Sequence, residues 1–252
     1  MVNNLVYIKV HKCSSHSVRV ILENYTTKKG LKHLKPSLEK IIHLRKQKGL
    51  FHWTRSADGD NSSAFNIRNG PYNISLTHHA YDPPFFNKLI KDPIYITFLR
   101  HPLSRAISAF HNSAVPPSPK EIEKLTFEEW YKTNETFLNS KPQQNHYSSC
   151  VLKNNFMSYM LGYDSLEEIT MENLVKRYSF IGLTEHFNDS IKSLSHVLGW
   201  DLGPERPHIH QTTGKPQVEL SADFIATFER NNSLDYKLYD LAKKNLSRCI
   251  PR

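Results

Sequence analysis

A short segment near the start of the chain combines cationic and hydroxyl side chains at the spacing of an anion-binding loop. It reads IKVHKCSSHSV at residues 8–18, where Lys9, His11 and Lys12 add positive charge and Ser14, Ser15 and Ser17 add hydroxyl groups. A predicted strand at 5–10 precedes the loop and a predicted helix at 17–25 follows it. Backbone N–H groups and the positive end of the helix dipole should therefore face the loop, which favours a phosphate or sulfate ligand. A polar connection with a serine helix cap is the alternative.

The loop lacks the glycines and the Gly-Lys-Ser/Thr ending of the Walker A motif. Those residues let the backbone of P-loop enzymes cradle nucleotide phosphates. The sequence therefore disfavours a nucleotide kinase, although it retains an anion site of the same general kind.

A second segment, FLRHPLSRAISAF at residues 98–110, places an arginine at the end of an apolar run. The run 94–99 predicts a buried strand, and Pro102 suits the start of the following helix. Arg100 is suited to phosphate because its planar fork binds two oxygens at once, and Ser108, two turns into the helix, can add a hydroxyl. The alternative is an ion pair at the strand end with Ser108 as a small packing residue.

Two adjacent histidines, His78 and His79, follow a predicted strand at 72–77. Transfer of a group to an alcohol needs a base near the acceptor oxygen, and the ordinary pKa of histidine lies close to neutrality. Either imidazole could instead make a structural hydrogen bond at the sheet edge.

A loop at 208–216, HIHQTTGKP, carries Lys215 beside a glycine. This lysine could close over a bound nucleotide, or the loop could be a surface connection. Thr184 and Glu185 follow another short apolar run and are weaker candidates for contacts with a base or ribose.

The elements that position these residues alternate between strands and helices. Strands are predicted at 5–10, 72–77, 94–99 and 180–183, and apolar residues recur at helical spacing after most of them. Residues 28–50 are helix-like, 54–71 and 114–121 are predicted loops, and 126–160 and 221–247 are predicted to be largely helical. This order predicts an α/β fold with a central parallel sheet flanked by helices, in a single domain spanning 1–252.

The composition is consistent with an anionic partner and does not identify it. The chain has 33 Lys and Arg against 24 Asp and Glu, a formal net charge of +9. No apolar run is long enough for a signal peptide or a membrane span. Of three cysteines, Cys150 and Cys249 could pair and leave Cys13 over. Roughly three N-glycosylation acceptors are expected by chance, whereas seven occur, at Asn24, Asn61, Asn73, Asn134, Asn188, Asn231 and Asn245.

Taken together, the segments around Lys12 and Arg100 resemble the two cofactor-binding elements of Golgi carbohydrate sulfotransferases. The patterns are apolar-x-K-x-H-K-x-x-S-x-[ST] and apolar-L-R-x-P-x-x-R-x-x-S-x-F. The resemblance is closest to the galactose 3-O-sulfotransferases and next to the uronyl 2-O-sulfotransferases. It extends in order through LTHHAY at 76–81, LGYDS at 161–165, FIGLTEHFNDSI at 180–191 and SRCI at 247–250.

The resemblance implies a P-loop-like nucleotide-binding sulfotransferase fold and the donor 3′-phosphoadenosine 5′-phosphosulfate (PAPS), with no metal. The loop would cradle the 5′-phosphosulfate, and Arg100 and Ser108 would hold the 3′-phosphate. The contact by Lys215 rests on its own loop and is not part of the resemblance. Lys12 would act in catalysis, and His78 aligns with the base of related enzymes, with His79 as its rival. The expected loop residues are Lys9, His11, Lys12, Cys13, Ser14, Ser15, His16 and Ser17.

This resemblance also implies partners and a location. The acceptor would be a glycan or glycolipid, with O3 of galactose favoured over O2 of a uronic acid. A full-length form would be anchored in the Golgi membrane by an N-terminal helix absent from this sequence, with the domain in the lumen. Cys13 and His16 depart from the threonine and the small hydroxyl residue usual there. They keep a non-catalytic glycan-binding relative open, whereas no nucleic-acid-binding module is recognisable.

Overall fold

The chain forms a five-stranded parallel sheet flanked by helices. A computed structural model describes residues 2–34, 70–112, 125–140, 151–203 and 219–249. The strands are β1 (Leu5–Ile8), β2 (His33–Leu34), β3 (Ile74–Ser75), β4 (Ile94–Leu99) and β5 (Phe180–Leu183), in the order β2-β3-β1-β4-β5. Each neighbouring pair is parallel, so the predicted fold class is confirmed.

Ten helices lie within the described ranges. They are α1 (Ser15–Lys28), α2 (Pro83–Leu89), α3 (Pro102–Asn112), α4 (Phe127–Thr133), α5 (Glu135–Asn139), α6 (Phe156–Leu161), α7 (Met171–Arg177), α8 (Phe187–Leu198), α9 (Ala222–Asn231) and α10 (Ser233–Cys249).

The three longer strands are almost entirely apolar, as expected where helices cover the sheet, and Thr97 on β4 is the polar exception. Every residue of β1 and β5 is buried, as are five of the six residues of β4. Continuous apolar runs of this kind are typical of parallel strands buried on both faces. Gly182 in β5 is required by this packing, since a Cβ there would lie 2.5 Å from the ring of Phe98 on β4.

The sequence predicted the limits of some strands correctly and those of others poorly. The strands at 94–99 and 180–183 have the predicted limits, whereas β1 ends at Ile8 and β3 covers only Ile74–Ser75. The edge strand β2 was not predicted. The predicted elements at 54–71 and 114–121 lie wholly or largely outside the described residues, as does most of 28–50.

Parallel strands bring the candidate segments that follow β1, β3, β4 and β5 to one end of the sheet. Ile8 pairs with Thr97 on β4, and Leu99 near the end of β4 pairs with Leu183 on β5. Because carboxyl ends of parallel strands share one edge, the loops that follow β1, β3, β4 and β5 meet there. Ligands of open α/β sheets bind at this edge.

Candidate active site

The loop after β1 has an unusual backbone. Lys12 and Ser14 both have positive φ, at 65° and 53°, and buried Cys13 lies between them. Left-handed geometry costs a non-glycine residue about 1–2 kcal/mol, so it persists where the surroundings require it. Alternating conformations of this kind turn successive N–H groups towards one side and form an anion-binding concavity.

The loop leads directly into the N-terminus of α1, and Ser14 occupies the cap position. Its side chain makes no capping hydrogen bond within the described structure, although its carbonyl accepts from Val18 N at 3.1 Å. The serine-cap interpretation of the sequence therefore fails for Ser14. The first turn of α1 contains no acidic residue that would offset the positive end of the helix dipole.

Arg100 lies at the end of β4 and reaches across to this loop. Its Nη1 donates to the carbonyl oxygen of Lys12 at 3.4 Å, which places the guanidinium beside the loop. The next residue, His101, donates its backbone N–H to Oε1 of Glu185 at 2.8 Å, so the ends of β4 and β5 are tied together. Ser108 is half-buried two turns into α3.

His78 lies three residues beyond β3 and faces the end of β1. Its Nδ1 is 3.0 Å from the carbonyl oxygen of Lys9. A carbonyl only accepts, so Nδ1 carries the proton and donates, which puts the lone pair of the neutral ring on Nε2. The ring also stacks on His11, with centroids 3.8 Å apart and planes at 21°.

Both stacked imidazoles are neutral near pH 7. Burial is the main cause that holds the pKa of His78 well below 6.5, and the neighbouring His11 and Lys9 lower it further. Burial likewise lowers the pKa of His11, together with the charges of Lys9, Lys12 and Arg105. Neutral imidazole is the form that accepts a proton.

His79 has a structural environment. It is fully buried, and its ring stacks on Phe85 at 5.2 Å with planes at 2° and meets Phe86 edge-on at 4.9 Å. Burial lowers its pKa to about 4. Of the two neighbouring histidines, His78 lies at the loop and His79 packs into the core beside α2.

The chain matches a known protein family. A family model described as Galactose-3-O-sulfotransferase matches residues 1–251 of the chain. The chain belongs to the galactose-3-O-sulfotransferase family.

Two curated members of this family illustrate the range of relatives. Galactose-3-O-sulfotransferase 2 of Sus scrofa is 24% identical over 214 residues, covering 80% of this chain and 50% of that protein. Galactosylceramide sulfotransferase of Mus musculus is 24% identical over 249 residues, covering 94% and 55%. The chain therefore spans about half the length of the curated relatives it matches.

A solved sulfotransferase from Alicyclobacillus acidocaldarius is similar to the chain at a TM-score of 0.44 and 15% identity, with 99% of each chain covered.

The departures from the family pattern fall at one buried and one exposed position. Cys13 is a fully buried free thiol whose pKa burial raises to about 12, so its side chain is neutral and packs inward. His16 is exposed in the first turn of α1. At Cys13, backbone atoms rather than the side chain are therefore available to a ligand.

Lys9 differs from the other predicted loop cations because it is 7% exposed. Burial lowers its pKa to about 8, and the nearest charges acting on it belong to Arg19 and Glu23 of α1. Its backbone carbonyl orients His78, a role that the sequence did not indicate. A cofactor contact by the Lys9 side chain stays a prediction.

Several predicted features fall outside the described structure. Lys215 and its loop, Cys150 and the side chain of Cys249 are among them, so the lysine contact and the disulfide remain predictions. Within the described ranges, no group of three or more His, Cys, Asp or Glu side chains is placed to hold a metal ion. No helix there is long and apolar enough to cross a membrane.

Sequence reasoning missed three residues beneath the site. Arg105, Phe156 and Asp235 are all buried and lie on α3, α6 and α10. Arg105 was visible as the second arginine of the motif around Arg100, but its burial was not readable from one sequence. Phe156 and Asp235 carry no motif signal, because only the tertiary fold brings them together.

Proposed function

We propose that this chain is a PAPS-dependent sulfotransferase that transfers a sulfuryl group to a sugar hydroxyl, with O3 of galactose as the acceptor position. The carrying observation is the loop after β1, where Lys12 and Ser14 have left-handed backbone geometry at the N-terminus of α1 and Arg100 donates to the Lys12 carbonyl. Membership of the galactose-3-O-sulfotransferase family supports the reaction class.

The donor set suits a ligand with two separate anionic groups. The 5′-phosphosulfate would be held by the loop N–H groups and by the side chains of Lys12 and Ser15. The 3′-phosphate would be held by Arg100 and Ser108 at the end of β4 and on α3. When bound, PAPS supplies the activated sulfuryl group.

Lys12 supplies positive charge at the point where the leaving phosphate gains negative charge. Its backbone is fixed by the left-handed geometry and by the hydrogen bond from Arg100. A cation that is already in place needs no reorganisation as charge develops, so its stabilisation is largest in the transition state.

His78 accepts the proton of the acceptor hydroxyl at Nε2. The bond from Nδ1 to the Lys9 carbonyl fixes the tautomer, and the stack on His11 fixes the ring plane. The lowered pKa keeps the ring neutral and ready to accept a proton at neutral and mildly acidic pH.

The acceptor is proposed from the relatives. The names of the two curated relatives specify galactose O3 and galactosylceramide, which supports a galactose-containing glycan or glycolipid over a uronic acid. A Golgi lumenal location and an N-terminal anchor in the full-length form belong to the same proposal. The seven N-glycosylation acceptors are consistent with passage through the secretory pathway.

Calorimetric titration with adenosine 3′,5′-bisphosphate (PAP), the product left by PAPS, tests the nucleotide site. Saturable binding of one PAP per chain is expected, with ATP much weaker because the 3′-phosphate contacts are lost. Binding of acidic glycans without any binding of PAP would favour a non-catalytic glycan-binding protein instead.

Arg100→Ala should weaken PAP binding because a charge-assisted contact to phosphate is lost. The expected loss is about 1.5–3 kcal/mol, which is a dissociation constant roughly 10-fold to 100-fold higher. Arg230→Ala, on the exposed surface of α9, is the control because it changes the net charge equally. Equal affinities for the two variants in calorimetry would limit Arg100 to a structural role.

The activity should persist below the ordinary pKa of histidine. Because the folded-state pKa of His78 is lowered, the active neutral form is retained as the pH falls past 6.5 and lost only further down. Bound PAPS adds negative charge beside the ring and raises its pKa. The acid limb of kcat should therefore lie at higher pH than that of kcat/KM, which reports the free enzyme. A kcat/KM limb above 6.5 contradicts the assignment.

A further inference from the structure

Arg105 is a buried cation behind the candidate site. It lies on α3 and is 1% exposed. Its Nη1 donates to the carbonyl oxygen of Val151 at 2.7 Å, and the guanidinium carbon lies 5.1 Å from the centroid of the Phe156 ring. Arg105 therefore holds the segment that leads into α6 from the side of α3.

Asp235 holds the same segment from the side of α10. Its carboxylate is fully buried and accepts from Met157 N at 3.1 Å and from Ser158 N at 2.7 Å, in the first turn of α6. Asp235 and Arg105 attract each other because their charges are opposite. This attraction lowers the pKa of the Asp235 carboxyl, against the effect of burial, which raises it. Phe156 is thus fixed from two sides.

Phe156 transmits this support to the proposed base. Its ring meets His11 at 6.4 Å with planes at 62°, and His11 in turn stacks on His78 at 3.8 Å. Arg105, Phe156, His11 and His78 therefore form one continuous series of ring and cation contacts, which runs from α3 to the segment after β3.

We propose that Arg105 is a positioning residue for His78. The part of this proposal that concerns the reaction rests on the proposed function. By holding Phe156 against the stacked imidazoles, it sets the place of His78 relative to the loop. The charge of Arg105 also lowers the pKa of His11, together with the charges of Lys9 and Lys12. The groups that lower the pKa of His78 are His11, Lys9 and Arg19. The stack thus lies among cations and remains neutral.

The test follows the imidazole signals of the free protein by NMR across a pH titration, without any cofactor. Arg105→Met removes the charge and keeps the bulk, so the close contact between the two imidazoles should be lost. The pKa of His11 should rise only slightly, because burial, Lys9 and Lys12 lower it more than Arg105 does. Arg105→Lys keeps the charge and should retain more of the contact between the two imidazoles than Arg105→Met does.

Arg177→Met is the matched control. Arg177 also donates to a carbonyl, that of Gly162 at the other end of α6, and lies 4.3 Å from the ring of Tyr163. This variant should lose stability and leave both imidazole titrations unchanged, which separates positioning from general support of α6.

Kinetics supply the second readout. Arg105→Met should lower kcat by ~10-fold or more through misplacement of the base, while the dissociation constant of PAP stays within about 2-fold of wild type. Unchanged imidazole signals together with unchanged kcat would overturn the proposal. A large loss of PAP affinity with unchanged imidazoles would also overturn it, because Arg105 would then be a cofactor ligand.

Phe156→Leu decides the matter if Arg105→Met does not fold, since it removes the ring and leaves the guanidinium. The stack should loosen in this variant, and unaltered imidazole signals would count against the proposal. A wild-type chain that transfers no sulfate would refute the proposed function, while the NMR titration would still decide the role of Arg105.

Discussion

Replacement of His78 by alanine is expected to abolish sulfate transfer while PAP still binds with near wild-type affinity. General base catalysis contributes typically ~10²–10⁴-fold, so the loss should be of that size and confined to turnover. The reason is the division of the site: His78 follows β3 and bonds to the Lys9 carbonyl, whereas the proposed phosphate contacts follow β1 and β4. Turnover and calorimetry on the same preparation provide the measurement.

His79→Ala is the control for this prediction. Because His79 packs against Phe85 and Phe86 in the core, the variant should melt at a lower temperature. Its activity per folded molecule should nevertheless stay near that of wild type. An inactive, folded His79→Ala beside an active His78→Ala would move the assignment by one residue, and activity in both would place the base elsewhere.

Replacement of Lys12 by alanine should lower kcat by ~10²-fold or more, because a cation placed at the developing charge acts mainly on the transition state. The left-handed backbone at Lys12 and the bond from Arg100 hold this position beside the N-terminus of α1. Steady-state kinetics with saturating PAPS measure the change in kcat.

Lys28→Ala is the matched control for Lys12→Ala, because Lys28 is exposed at the far end of the same helix. The two variants change the net charge equally, so only the local charge differs between them. Near wild-type kcat in a folded Lys12→Ala variant would contradict the role of Lys12 in the proposed mechanism.

The fold was predictable where burial alone decides it. The apolar runs in β4 and β5 are covered by helices, so their limits could be read from composition. Strands β2 and β3 contain two residues each, which is too short for a periodic signal. Helix α2 was not predicted either. It begins at a cap made by the Asp82 side chain, which accepts from Phe85 N at 3.2 Å.

The candidate site was predictable where a motif lies within one strand–loop–helix unit. The loop around Lys12 and the position of Arg100 follow from local sequence and parallel pairing. The choice between His78 and His79 did not follow, because both lie beyond the end of β3 and the packing of α2 decides which ring is buried. The support from Phe156 and Asp235 depends on contacts between distant helices.

Transfer of labelled sulfate from PAPS to a terminal β-galactoside, with the product position determined by NMR, tests the central claim most directly. We expect one sulfate per acceptor at O3 of galactose, formed by the wild-type chain and lost in the Lys12→Ala and His78→Ala variants. Sulfate found on O2 of a uronic acid instead, or firm PAP binding with no sulfate on any acceptor, would contradict the proposed function.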